Sequence, residues 1–163
     1  MSDYRIRPAT LADEAVLAHH RAAMFEEMGV DVDRPVLDAA FRPWLRAHMP
    51  QGQYRAWLVE AIDGSVSGSV GGSVVSGGGI TVLPWPPGPR YLGDRLAFVY
   101  NVFTEPGHRR RGLGRLVMHA IHDYCRQEGI QTLALNASRA GQPLYEALGY
   151  AVTPSPMMFL ALD

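Results

Sequence analysis

The most constraining feature of this chain is a strongly apolar stretch, Arg95 to Thr104, followed by a glycine turn that opens straight into a long helix. From Gly112 to Glu128, the residues Leu113, Leu116, Val117, Ala120, Ile121, Tyr124 and Cys125 keep i, i+3, i+4, i+7 spacing, and Gly129 supplies the C-terminal stop signal. A helix with one apolar stripe must bury it, and a strand that is apolar almost throughout belongs at the centre of a sheet. The pairing calls for an α/β architecture on one core.

The rest of the chain agrees with that class. Tyr4 to Arg7 alternates as a first strand. Helices are expected from about Leu11 to Met28, with Thr10 or Asp13 as cap, and from about Pro35 to His48, with Pro43 kinking or splitting the second. Tyr54 to Ile62 reads as a strand, and Asp63-Gly64 as a hairpin signal. The glycine-rich Ser65 to Ser76 carries Val66, Val70 and Val74 on alternate positions and reads as the next strand, with Gly77-Gly78-Gly79 breaking it. Leu83 to Pro89 is a proline-stiffened loop. After the long helix come a strand (131–136), a short helix (141–148) and two closing strands (150–153 and 157–162). The 163 residues fit one domain, 1–163.

Composition narrows the class further. Apolar residues make up 47% of the chain, which excludes a disordered protein, and 15 basic against 16 acidic residues argue against a general nucleic-acid binder. The single cysteine, Cys125, can form no internal bridge, and no zinc-type spacing or other metal set is present. No apolar run approaches the roughly 20 residues of a membrane span, and the N-terminus has no hydrophobic signal core. A cytoplasmic location without membrane attachment is the expectation.

The basic residues are unevenly spread: Arg109, Arg110, Arg111 and Arg115 crowd around Gly112 and Gly114. The first N–H groups of a helix lack internal partners, and the helix dipole adds partial positive charge there. Strand, glycine turn and helix start together form a phosphate cradle. No GxxxxGK[ST] string exists, and the dinucleotide fingerprint would need glycine where Val117 stands. The form present is Arg-x-x-Gly-x-Gly at 109–114.

That form resembles the acetyl-CoA pyrophosphate loop of the GNAT superfamily of N-acyltransferases. The resemblance extends over most of the chain. The stretch from Leu133 to Tyr150 is similar to the family's second signature, a strand followed by Asn-x-x-Ala-x-x-x-Tyr-x-x-x-Gly-aromatic. Tyr145, Gly149 and Tyr150 match it; Ser138 stands where Asn is commonest and Gly141 where Ala is. The resemblance implies a mixed, mostly antiparallel sheet with flanking helices and two parallel strands, 95–104 and 131–136, splayed apart to admit the pantetheine arm.

It also implies roles. Acetyl-CoA is the acyl donor and an amine, small or peptidic, the acceptor, with no metal. Backbone groups of Val102, Phe103 and Thr104 meet the pantetheine, and the Val102 N–H polarises the thioester carbonyl. Backbone N–H groups from Arg110 through Arg111, Gly112, Leu113 and Gly114 to Arg115 hold the pyrophosphate, with Arg109 ordering the turn or touching a phosphate. Asn136 and Ser138 are further cofactor contacts, and whether the Ser138 hydroxyl replaces the family's Asn stays open. Tyr145 reaches the cofactor sulfur and protonates the departing thiolate, as a phenol of pKa near 10 can. Dimers are common in the family, so a homodimer is a further expectation.

No general base is visible. The apolar strand carries no acid before Glu105, and Glu26, Glu27, His19, His20, Asp94 and proton loss through water all stay open. Cys125 lies on the helix stripe and reads as packing, so direct attack of the amine, without an acyl-enzyme, is the expected route. The first two helices and the loop 153–156 are expected to line the acceptor cleft, with Met24, Glu26, Glu27, Trp44 and His48 as candidates. Two other classes stand beside the enzyme: a non-catalytic acyl-CoA sensor, which would not need Tyr145, and a nucleic-acid binder using Arg109 to Arg111.

Overall fold

The computed structural model describes residues 3–62 and 73–162. Five strands form one sheet in sequence order: β1 (Tyr4–Pro8), β2 (Tyr54–Ala61), β3 (Ser73–Pro84), β4 (Arg95–Thr104) and β5 (Leu133–Leu135). Neighbours are antiparallel except β4 and β5, which are parallel. Helices α1 (Glu14–Glu27) and α2 (Arg34–His48) cover one face, and α3 (Leu113–Gln127) covers the other; α4 (Gln142–Ala147) follows β5. This is the mixed sheet with a parallel pair that the family resemblance implied.

Strand alternation builds two core layers. Tyr54, Ala56 and Leu58 of β2 pack with Leu17, Ala18, Phe41 and Leu45 of α1 and α2. Val59, Val75, Ile80, Ala97 and Val99 point the other way, onto Leu113, Val117, Met118, Ile121 and Cys125 of α3. The apolar stripe of α3 is therefore the floor of the larger layer, and Cys125 is packing.

Several expectations need correction. The three glycines do not break a strand: β3 runs through Gly77, Gly78 and Gly79 to Pro84. A side chain at each would collide with a neighbour. A Cβ on Gly79 would lie 2.4 Å from the Tyr54 hydroxyl, on Gly78 2.9 Å from Val117, and on Gly77 2.7 Å from Leu58. The glycines mark close packing within a strand. Helix α2 is continuous through Pro43, which sits on the solvent side, where water can serve the Ala39 carbonyl left without a donor. The first helix begins with a separate 3-10 turn, Leu11–Asp13, closed by a capping box between Thr10 and Asp13. The strand after α3 spans only Leu133–Leu135. Residues 150–153 and 157–162 are not strands; they have no ladder partner, and Met158, Phe159, Leu160 and Leu162 lie exposed. The hairpin signal Asp63-Gly64 and the valines Val66 and Val70 lie outside the described residues. No helix among the described residues is long and apolar enough to cross a membrane.

His20 is the odd member of the core. It is 1% exposed, neither ring nitrogen has a hydrogen-bond partner among the described residues, and its ring packs on Phe103 at 5.1 Å. Burial, with His19 beside it, pushes its pKa from 6.5 down to about 4. Between those values the unfolded chain binds a proton that the native state excludes, so stability falls as pH drops through that window. The loss reaches about 3 kcal/mol near pH 4. Denaturant titrations at pH 7 and pH 4.5 should show it, and in His20→Phe the difference over this interval should be smaller by about 2 kcal/mol; the remainder belongs to His122 and to carboxylates such as Glu60, whose native pKa values are also lowered.

Candidate active site

The site begins with a defect in β4. Opposite Gly78 alone on β3, the β4 strand carries two residues, Asn101 and Val102, so the ladder steps from Gly77↔Phe103 to Gly79↔Tyr100. This β-bulge bends the strand. Asn101 takes up the strain with φ of 60°, a left-handed conformation that Asn tolerates better than most residues. It is buried, its side-chain oxygen accepts from an Arg21 guanidinium N–H at 2.8 Å, and its amide donates to the Tyr54 hydroxyl at 3.4 Å. On the other edge, β4 pairs with β5 only through Ala97↔Leu133, Phe98↔Ala134 and Val99↔Leu135. Beyond Val99 the strands part, and the β5-facing edge of residues 100–104 has no strand beside it.

Two cavities open from this gap and meet at Val102, Ser138 and Tyr145, with Met24 and Met28 over the junction. The first, about 1090 Å³, runs from Val102, Phe103 and Thr104 to the turn at Arg109, Arg110, Gly112, Leu113, Gly114 and Arg115. Its charged lining is Arg109, Arg110, Arg115 and Arg139 against Glu27, with His108 nearby. The first α3 hydrogen bond runs from the Leu116 N–H to the Gly112 carbonyl at 3.0 Å, and the backbone N–H groups of Arg110 to Arg115 find no acceptor among the described residues. Gly112 has φ of 79°, and a Cβ there would meet only open space. Gly114 serves packing instead, since its Cβ would press on Leu144 of α4 at 3.1 Å.

Arg109 orders the turn: its guanidinium donates to the Thr104 carbonyl at 2.9 Å and pairs with Glu27. Arg111 turns away from the cavity, donating to the Tyr4 hydroxyl at 3.1 Å. The Phe103 side chain is buried between His20 and Arg109, so only its backbone is placed for a ligand.

Tyr145 stands at the junction. Its ring packs edge-on against Tyr150, with centroids 5.8 Å apart. Gly149, with φ of 92°, ends α4, and the Tyr150 N–H returns to the Tyr145 carbonyl at 3.0 Å. That helix-end turn is the physical content of the Tyr-x-x-x-Gly-aromatic spacing: the glycine lets the second ring fold back onto the first. Ser138 holds the turn that leads into α4, its hydroxyl accepting from the Gly141 N–H at 3.1 Å. A Cβ on Gly141 would come within 3.1 Å of the Tyr145 ring and 3.2 Å of the Ser138 hydroxyl, so the glycine leaves these two their places. Burial alone raises the Tyr145 pKa above its ordinary 10.

The second cavity, about 810 Å³, lies between β4 and the first two helices. Trp44, Met24 and Asn136 line it. Glu26 is paired with Arg34 outside it, His48 lies behind Trp44, and of the C-terminal segment Phe159 reaches it rather than the loop at 153–156. No base candidate faces the junction. His19 accepts from Arg34 on Nδ1 and so donates from Nε2 to Glu105 at 2.7 Å, His20 is buried, Glu27 holds Arg109, and Asp94 is on the surface. Sequence reasoning missed Arg21, Asn101 and Arg139. Asn101 was visible as the lone amide in an apolar strand, and Arg139 as the residue after Ser138; Arg21 had no distinguishing signal.

The sequence model of the acetyltransferase (GNAT) family matches residues 19–150. The chain belongs to this family. Its fold superposes on a GCN5-related N-acetyltransferase from Ralstonia eutropha JMP134 with a TM-score of 0.84 and 30% identity, covering 96% of this chain and 98% of that one. A predicted acetyltransferase from Clostridium acetobutylicum, solved with acetyl-CoA, matches at TM-score 0.80 and 19% identity over 98% and 96% of the two chains. Glucosamine-6-phosphate N-acetyltransferase from Arabidopsis thaliana matches at 0.64 and 18%, over 99% and 100%. The last two likenesses are of fold. The splayed strands and the turn thus belong to an acetyltransferase domain.

The bulge makes a testable demand. Asn101→Ala removes the buried bond to Arg21 and puts a Cβ-bearing residue without a helpful side chain at positive φ. It should destabilise the fold by about 2 to 3 kcal/mol. Asn101→Gly relieves the strain and should lose less; equal losses in thermal unfolding would contradict the strain.

Proposed function

We propose that the protein transfers the acetyl group of acetyl-CoA to an amine by direct attack. The observation that carries this reading is the meeting of two cavities, one rich in arginine and one largely apolar, at Val102, Ser138 and Tyr145. The arginine-rich cavity suits a long anionic donor. Unpaired N–H groups of Arg110 to Arg115 and the guanidinium groups of Arg110, Arg115 and Arg139 would hold its phosphates. The free β4 edge at 100–104 would pair with the amides of its pantetheine arm as an added strand. Ser138 borders the same path, whereas Asn136 lines the second cavity.

Acetyl-CoA supplies an activated carbonyl. The Val102 N–H, at the bulge, is assigned to the carbonyl oxygen, where a fixed donor stabilises developing negative charge by a few kcal/mol. The amine nitrogen bonds to the acetyl carbon, the carbon–sulfur bond breaks, and the sulfur takes the Tyr145 proton. A buried phenol with a raised pKa stays protonated at neutral pH, as an acid must. The amine loses its proton to water, since no carboxylate or imidazole lines its cavity. An acyl-enzyme route has little support. Cys125 borders neither cavity, and burial pushes its pKa to about 11, away from the thiolate that a nucleophile needs.

Three measurements test this. CoA at a hundredfold excess over its Kd should add about 2.7 kcal/mol to stability, raising the melting temperature by several degrees, while ATP and NAD should do less. Gly112→Asp puts a carboxylate among the unpaired N–H groups and should weaken CoA binding at least about tenfold. Gly112→Asn, equally strained but neutral, should lose less, and equal losses would mean that strain rather than charge acts. Tyr145→Phe should lower kcat about ten- to a thousandfold with little change in the KM for acetyl-CoA. A wild-type kcat in that variant, where chemistry limits turnover, would remove Tyr145 from the reaction, and CoA binding without release of thiol from acetyl-CoA by any amine would favour a sensor.

A further inference from the structure

The second cavity carries more chemistry than a generic amine pocket needs. Its walls are dominated by Phe41, Trp44, Phe98, Met24 and Leu37, and its charged residue is Arg21. The guanidinium stacks over the rings of Phe25 and Phe41, each at 5.0 Å, and one N–H is spent on Asn101. Among the described residues no carboxylate pairs with Arg21, and none lines the cavity. Burial lowers its pKa, and only the Tyr100 and Tyr54 hydroxyls offset that. The remaining guanidinium N–H groups thus face a mostly apolar space without a counter-charge, which is the arrangement that draws an anion.

Resting on the acetyl-transfer reading, we infer that the acceptor is an amine that carries its own carboxylate close to the nitrogen on an apolar or aromatic body: a free α-amino acid of the phenylalanine, tryptophan or methionine kind. Arg21 binds the carboxylate and so acts as a specificity-determining residue. The placement fixes the spacing. Arg21 bonds to Asn101, and the next residue is Val102, whose N–H is assigned to the reacting carbonyl. An anion at Arg21 is therefore close to the point of attack, which suits an α-carboxylate and not one at the far end of a long molecule. The aromatic walls take the side chain. A polyamine or a multiply charged amino sugar is disfavoured, because a second ammonium would find no carboxylate and would meet Arg21. The guanidinium also offsets the α-carboxylate, whose charge would otherwise hold the proton on the amine.

The test uses the CoA-saturated protein in a calorimeter. CoA binding is recorded first; then phenylalanine, tryptophan and methionine are each titrated against the amine that lacks the carboxylate, and phenylalanine against phenylalaninamide. At least one amino acid should bind about ten- to a hundredfold more tightly than its uncharged-end partners. Arg21→Met should bring that ratio close to one, and Arg21→Lys should keep part of it. Because Arg21 also supports the bulge, CoA affinity in each variant reports whether the site is intact. A ratio near one in the wild type, a ratio that survives Arg21→Met, or no binding by any of the three amino acids up to saturation of the solution overturns the inference. If CoA binds in those cases the acetyl-transfer reading stands, whereas failure to bind CoA at all overturns that reading instead.

Discussion

The site depends on one irregularity: two residues of β4, Asn101 and Val102, opposed by the single residue Gly78. A regular strand would continue its ladder with β5 past Val99 and leave no gap. With the bulge, β4 turns from its neighbour, and both cavities open along the freed edge. The strain of a non-glycine residue at φ of 60° is of order 1 to 2 kcal/mol. A buried amide with an arginine and a tyrosine as partners offsets it. The residue that stabilises the defect is thus tied to the residue that puts charge in the second cavity.

Much of the surrounding packing serves this point. Tyr54, almost fully buried, needs Gly79 bare to reach Asn101, and Gly78 needs to be bare for Val102 and Val117 to close over it. The glycine run in β3 is therefore the complement of the bulge in β4. At the other end of β4, Arg109 reaches back to the Thr104 carbonyl and across to Glu27 of α1, so strand end, turn and first helix form one unit. The N–H groups of that turn are left unpaired because the helix begins there.

The sheet, the long helix and the arginine turn were legible because each has a local signal: alternation, 3.6-residue spacing, glycine at a helix start. The tyrosine signature was legible as spacing, and its reason, a helix-end turn that sets Tyr150 edge-on against Tyr145, required three dimensions. Gly77 to Gly79 misled, because bare residues look alike in sequence whether they free the chain or let neighbours close in. The two closing strands misled in another way. Val152 and the run from Met157 to Leu162 have the composition of strands, but a strand also needs an edge to pair with, and composition does not supply one. Arg21 was invisible because nothing in the helix distinguishes an arginine facing a cavity from one facing water.

The central claim is that the bulge presents the Val102 N–H to the carbonyl of the bound thioester, with Tyr145 at the sulfur. A crystal structure with an unreactive acetyl-CoA analogue, one with a methylene in place of the sulfur, tests it most directly. The account predicts the analogue's carbonyl oxygen about 3 Å from the Val102 nitrogen, and the methylene close to the Tyr145 hydroxyl. An analogue seated with its carbonyl on another donor, or with its pyrophosphate away from the 110–115 turn, would contradict it.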